Sequence, residues 1–159
     1  MILGCIPFLS SRGSEMRLPF DIGFCYHPDA SDEDNAEILR LALEFLIACN
    51  MRYLYSFRSQ VPTLYNSGVT YDRTTVWDSI PDLYARQRGD CKSLTAARVA
   101  ELRAAGREAI PVFRFAQNPN TGRREFHILV KTGGKGFEDP SKILGMEEWH
   151  RSQGTAMLF

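Results

Sequence analysis

From Ile110 to Pro140 the sequence alternates short apolar runs with clusters of turn-forming residues, and few folds accommodate that rhythm. Ile110 to Phe115 reads as a strand, Asn118-Pro119-Asn120-Thr121-Gly122 as a hairpin turn, and Arg124 to Lys131 as the returning strand. Gly133-Gly134-Lys135-Gly136 is a second turn, after which Phe137-Glu138-Asp139-Pro140 closes a third strand. Two helix signals precede this small antiparallel sheet. Ser31 and Asp34 form a variant capping box ahead of Ile38, Leu39, Leu41, Ala42, Phe45, Leu46 and Cys49. Those residues cover so much of the first helix that it should be nearly surrounded by other elements. The second helix runs from about Lys92 to Ala105 and stops at Gly106, a natural residue just past a helix C-terminus. Helices followed by strands make an α+β pattern, and 159 residues without a dividing linker suit one domain spanning 1–159.

Between the helices, Ser56 to Trp77 is polar and aromatic, with Pro62, Asn66 and Gly68 as punctuation. It reads as a long surface connection, with a short helix from Ser79 to Arg86 beyond it. Leu18, Phe20, Ile22, Phe24 and Tyr26 have the period of a half-buried strand, and Pro19 would place that strand at an edge. The stretch beyond Trp149 is poorly patterned. Met1 to Leu9 is apolar but lacks a basic region and a cleavage site, so it reads as an N-terminal arm rather than a signal peptide.

The 19 basic and 19 acidic residues cancel, which argues against an electrostatic partner such as nucleic acid or an anionic membrane. The basic groups, Arg98 and Arg103 among them, read as mostly solvated. No apolar run approaches the roughly 20 residues of a membrane span. The scattered cysteines (Cys5, Cys25, Cys49, Cys91) and histidines (His27, His127, His150) lack metal-ligand spacing, so neither metal nor cofactor is implied. Thiols in such unlike contexts suggest a reducing, cytoplasmic setting.

Cys91 carries the chemistry. Gly89 and Asp90 read as the loop and N-cap of the helix that Cys91 opens, so backbone donors and the helix dipole face the sulfur and favour a thiolate. The alternative is a small buried hydrophobe. His127 lies within Phe126-His127-Ile128-Leu129-Val130, either as a core histidine or as a base held rigidly by a central strand. Asp139 stands before Pro140, either as a turn residue or as the group that orients the imidazole. Together, a helix-opening Cys, a strand His and a later strand Asp supply what nucleophilic cysteine catalysis needs.

The run Arg88-Gly89-Asp90-Cys91-Lys92-Ser93-Leu94, then Leu102-Arg103-Ala104-Ala105-Gly106, His127 in a strand and Asp139-Pro140 resembles the transglutaminase-like superfamily over about residues 75–146. The resemblance implies a papain-related core, with the Cys-bearing helix packed on a small antiparallel sheet and Cys91, His127 and Asp139 as a triad. It departs from the family at Lys92-Ser93, where many bacterial members have acidic residues, and no Trp follows the Cys as in calcium-dependent cross-linking members. Hydrolysis of a peptide or protein amide is therefore expected over cross-linking. The Cys91 N–H is the natural first oxyanion donor, with Trp77, Gln87 or a tyrosine such as Tyr55, Tyr65 or Tyr71 as a second. The rival expectation is a non-catalytic structural or adaptor protein of the same fold, with assembly partners. Short relatives with a similar Cys helix and a D-P-S-x-x-L-G-M ending resemble tailed-phage structural proteins, which implies a virion role.

Overall fold

The computed structural model describes residues 2–9, 15–21, 31–57, 60–117, 124–134, 136–147 and 155–157. Its elements are β1 (Ile2–Leu9), β2 (Glu15–Asp21), α1 (Asp32–Phe57), β3 (Thr70–Tyr71), α2 (Ile80–Arg86) and β4 (Arg88–Gly89). There follow α3 (Cys91–Ala104), β5 (Ala109–Gln117), β6 (Arg124–Thr132), β7 (Phe137–Glu138), α4 (Pro140–Ile143) and β8 (Thr155–Met157). The chain thus combines helices with small sheets. The largest sheet has the order β7-β6-β5-β8 and is antiparallel throughout, with Phe113 opposite Ile128 and Arg114 opposite His127 in the β5–β6 pair.

The capping box forms as its spacing predicts. Ser31 Oγ accepts the Asp34 N–H at 3.1 Å, while Asp34 Oδ2 accepts the Ser31 N–H at 3.3 Å. This pair starts α1, which buries one stripe (Ala42, Leu43, Leu46, Ile47, Leu54) and leaves Leu41 and Phe45 exposed. The expectation that α1 is nearly surrounded is therefore corrected. The surrounded helix is α3, in which only Arg98, Glu101, Arg103 and Ala104 escape full burial. Its small residues Ala96, Ala97 and Ala100 explain why: without long side chains, α1 and the sheet can approach its axis from two sides. Gly106, at φ +74°, ends it in the left-handed conformation.

Alternation along β5 and β6 puts Phe113, Phe115, Ile128 and Val130 into the core shared with α1 and α3. His127 falls on the other face by the same rule. The strand expected over 18–26 appears as β2, paired with β1, and its latter half lies outside the described residues, as does the hairpin turn at 118–122. The tail read as unpatterned contributes β8, which pairs with β5.

The connection between α1 and α2 is less superficial than its composition suggests. Leu64, Val69 and Trp77 are buried in it, and β3 forms a two-residue parallel bridge with β4. Asn50, fully buried on α1, accepts the Ile80 N–H through Oδ1 at 2.8 Å and so caps α2 from a distance, a role no local motif announces. Replacing Asn50 by Ala would leave that buried N–H without an acceptor. A loss of about 1–3 kcal/mol is expected, read as a lowered midpoint in urea unfolding with an unchanged slope.

Candidate active site

The site is built where β7 stops. β7 pairs with β6 only at Val130–Glu138 and Lys131–Phe137, so the next stretch of the β6 edge needs other partners for its backbone. The N-terminal turn of α3 supplies them. The Ile128 N–H faces the Cys91 sulfur, and Thr95, one turn further along the helix, donates its hydroxyl to the Ile128 carbonyl at 3.2 Å. Residues at i and i+4 lie on one helix face, which is why these two side chains reach one peptide unit. Cys91 therefore meets the strand at its edge, not across its face.

Two features upstream hold Cys91 there. Gly89 lies so close to Leu83 that a Cβ would collide with that side chain's Cδ1, so a larger residue would have to displace the buried Leu83. Asp90 has extended backbone and caps α3, its side chain accepting the Lys92 N–H at 3.1 Å. The expected loop, N-cap and helix-opening cysteine are all present.

His127 is 4% exposed, and its Nε2 lies 3.0 Å from Asp139 Oδ2. Continuing the β6–β7 register puts Asp139 opposite Leu129, diagonal to His127 on the same face and within reach of a long side chain. Asp139 also caps α4, its Oδ1 accepting the Lys142 N–H at 3.2 Å. The turn reading and the orienting reading of this residue are thus both realised, one per oxygen. Burial would raise its carboxyl, but the His127 hydrogen bond and charge, together with the Lys142 N–H, outweigh burial and hold it below the ordinary value. It is therefore a carboxylate, and the nitrogen facing it must carry the proton. Whenever the ring holds a single proton, Nδ1 is then the accepting nitrogen.

A cavity of about 420 Å³ brings the groups together. Among the described residues its lining includes Cys91, His127, Asp90, Lys92, Tyr71 and Trp77. Of the oxyanion candidates, Trp77 reaches this cavity and Gln87 does not. Gln87 is exposed, in a left-handed conformation at φ 56°, and its amide nitrogen donates to the Ser67 and Tyr84 carbonyls at 3.0 and 2.7 Å. Tyr71 is the tyrosine of the three that lines the cavity, whereas Tyr65 bonds Glu138 and Tyr55 is exposed on α1.

The thiol differs from the sequence expectation. Burial pushes Cys91 up to about 12, with the Asp90 carboxylate adding to the rise and Lys92 and the Ile128 N–H opposing it. Burial thus works against the thiolate that a helix N-terminus favours. Lys92 and Ser93, the departures from the family pattern, have structural partners: Lys92 Nζ pairs with Asp90 and donates to the Thr74 carbonyl at 2.9 Å, and Ser93 Oγ accepts the Asp78 N–H at 2.9 Å. Both tie the 72–78 segment to α3.

Arg98 and Arg103, read as solvated, are in fact part-buried ion-pair donors. Arg98 holds Glu138 and Glu101 at 2.5 and 3.1 Å, and Arg103 holds Glu44 at 2.6 Å. Among the described residues no group of three or more His, Cys, Asp or Glu side chains could hold a metal ion, and no helix is long and apolar enough to cross a membrane. Comparison of the chain with protein-family models, curated proteins and solved structures found no match.

Asparagine caps helices as well as aspartate does, so Asp90→Asn should keep α3 while removing the negative charge next to the sulfur. The Cys91 titration midpoint should then fall below that of the parent, seen as faster iodoacetamide alkylation at every pH below the parent midpoint. Coincident rate–pH profiles would contradict this account of the thiol.

Proposed function

We propose that this protein is a thiol-dependent amide acyl-transfer enzyme, a cysteine peptidase or amidase built on a transglutaminase-like core. The observation that carries the reading is the His127 Nε2–Asp139 Oδ2 bond, with His127 and Cys91 lining one cavity and the thiol at a helix N-terminus. A thiol raised by burial and an imidazole oriented by a carboxylate make a general-base arrangement, not a standing ion pair.

In the proposed cycle His127 Nδ1 takes the Cys91 proton as the sulfur attacks the substrate carbonyl carbon. The resulting oxyanion is met by the first N–H of α3, which has no intrahelical acceptor. Asp139 stabilises the imidazolium. Collapse breaks the C–N bond, and the leaving amine takes the proton from His127. Water then adds to the thioester, giving one proton to His127, and departure of the sulfur as it recovers that proton releases the carboxylic acid.

A second reading has its own support. Cys91, His127 and Asp139 each have a structural partner: the Ile128 N–H, the Asp139 carboxylate and the Lys142 N–H respectively. A non-catalytic adaptor, including a virion component, would need no more than that.

Asp139→Asn separates the two readings by turnover. The Asp139 charge itself raises the Cys91 pKa, so its removal should lower the thiol titration in either case. In the enzyme the loss of imidazolium stabilisation should also cut turnover by about 10⁴-fold, as in related triads. Cys91→Ala should abolish turnover outright. Thiol alkylation against pH and hydrolysis of a fluorogenic amide library are the two measurements. A lowered titration with no hydrolysis by the parent would establish the adaptor.

A further inference from the structure

The cavity beside Cys91 contains four charged side chains, and all four are already engaged with one another. Lys92 pairs with Asp90 and donates to the Thr74 carbonyl, while Arg73 Nη2 lies 3.0 Å from Glu125 Oε1. Lys92 and Asp90 are buried, so a charged group settling beside Cys91 would have to break their pair or lie against it without a counter-ion, and either course is unfavourable.

Beside these charges and the polar side chains of Tyr71, Thr74, Thr75 and His127, the lining has an apolar part. Leu39 reaches the cavity from α1, Trp77 from the segment before α2, and Phe126 from β6. All three belong to or pack against the hydrophobic core, and Phe126 is braced by tilted ring contacts with Phe113 and Phe115 at 6.3 and 6.4 Å between centroids. They therefore form a fixed apolar wall, and little ordering is lost when a ligand packs against it. The volume of about 420 Å³ lies within the range of small-ligand sites and exceeds what one side chain fills.

We propose that this cavity selects acyl groups with an uncharged aliphatic or aromatic side chain, which packs against Leu39, Trp77 and Phe126 while its carbonyl is presented to Cys91. The inference rests on the proposed acyl transfer at Cys91, and it assigns the substrate class that the sequence leaves open. Leu39 becomes a specificity-determining residue, although it lies 52 positions before the nucleophile and reads in sequence as ordinary helix core.

The test is a panel of N-acetyl aminoacyl chloromethyl ketones carrying leucine, phenylalanine, glutamate or lysine side chains, applied to the full chain. Peptide mass spectrometry locates each adduct, and the inactivation rate at Cys91 is compared across reagents. The leucine and phenylalanine reagents should react at least about tenfold faster than the charged ones, the discrimination expected when an apolar wall accepts or loses a side chain. Leu39→Ala should narrow that advantage, and Leu39→Glu should reverse it for the lysine reagent. Glutamate or lysine reagents reacting with the parent as fast as the apolar pair would overturn the inference while leaving acyl transfer at Cys91 intact. If no reagent modifies Cys91 faster than Cys49, the acyl-transfer reading falls, and this inference with it.

Discussion

One peptide unit organises this molecule. Ile128 accepts the Thr95 hydroxyl at its carbonyl and turns its N–H towards the Cys91 sulfur, so the first turn of α3 covers the strand edge where β7 ends. Backbone groups on a buried strand edge must be satisfied, and here two side chains four residues apart on a helix meet both. That docking fixes where the sulfur lies relative to β6, and hence relative to His127 one residue earlier on the same strand. It also obliges α3 to be slim, since a helix held this close to a sheet, with α1 behind it, leaves room only for small side chains.

A polar network on the far side of α3 holds the second half of the site. Arg98 grips Glu138 on β7 and Glu101 one turn away, Tyr65 adds a hydroxyl to Glu138, and Glu101 accepts the Leu64 N–H at 2.5 Å. Burial alone would raise the Glu138 carboxyl, yet its bonds to Arg98 and Tyr65 hold it below the ordinary value, so it remains the anion that Arg98 needs. Glu138 immediately precedes Asp139. The network thus anchors a strand of two residues that pairing by itself would hold weakly, and it sets the carboxylate that faces the imidazole.

Much of this was legible in the sequence, and the illegible parts share a cause. The capping box at Ser31–Asp34, the helix opening at Cys91 and ending before Gly106, the β5–β6 pair and the proximity of His127 to Asp139 all follow from local signals or short loops. What escaped notice depends on residues far apart in the chain. Asn50 caps a helix thirty positions later, Leu39 lines a cavity with Cys91, and Arg98 and Arg103 look like solvent-facing cations until their carboxylates on other elements are placed. The thiol was misjudged for the same reason. Its helix terminus is visible in sequence, but the burial that works against it is a property of the assembled core. The α1 stripe was overestimated because Leu41 and Phe45 are apolar yet face outward, which composition alone does not forbid.

The brevity of β7 has a bearing on solubility as well as on chemistry. A strand edge with unsatisfied N–H and C=O groups is a template for pairing with another chain, and proteins commonly cover such edges with a helix or loop. In this fold the cover is the helix that carries Cys91. Any excursion that lifted α3 away from Ile128 would uncover the sulfur and the β6 edge in the same movement, coupling access to Cys91 with exposure of a sticky surface. Selection on such a chain would favour entry of small groups through the existing cavity over opening of the helix. The same constraint discourages any lengthening of β7, which would compete with the first turn of α3 for the same strand.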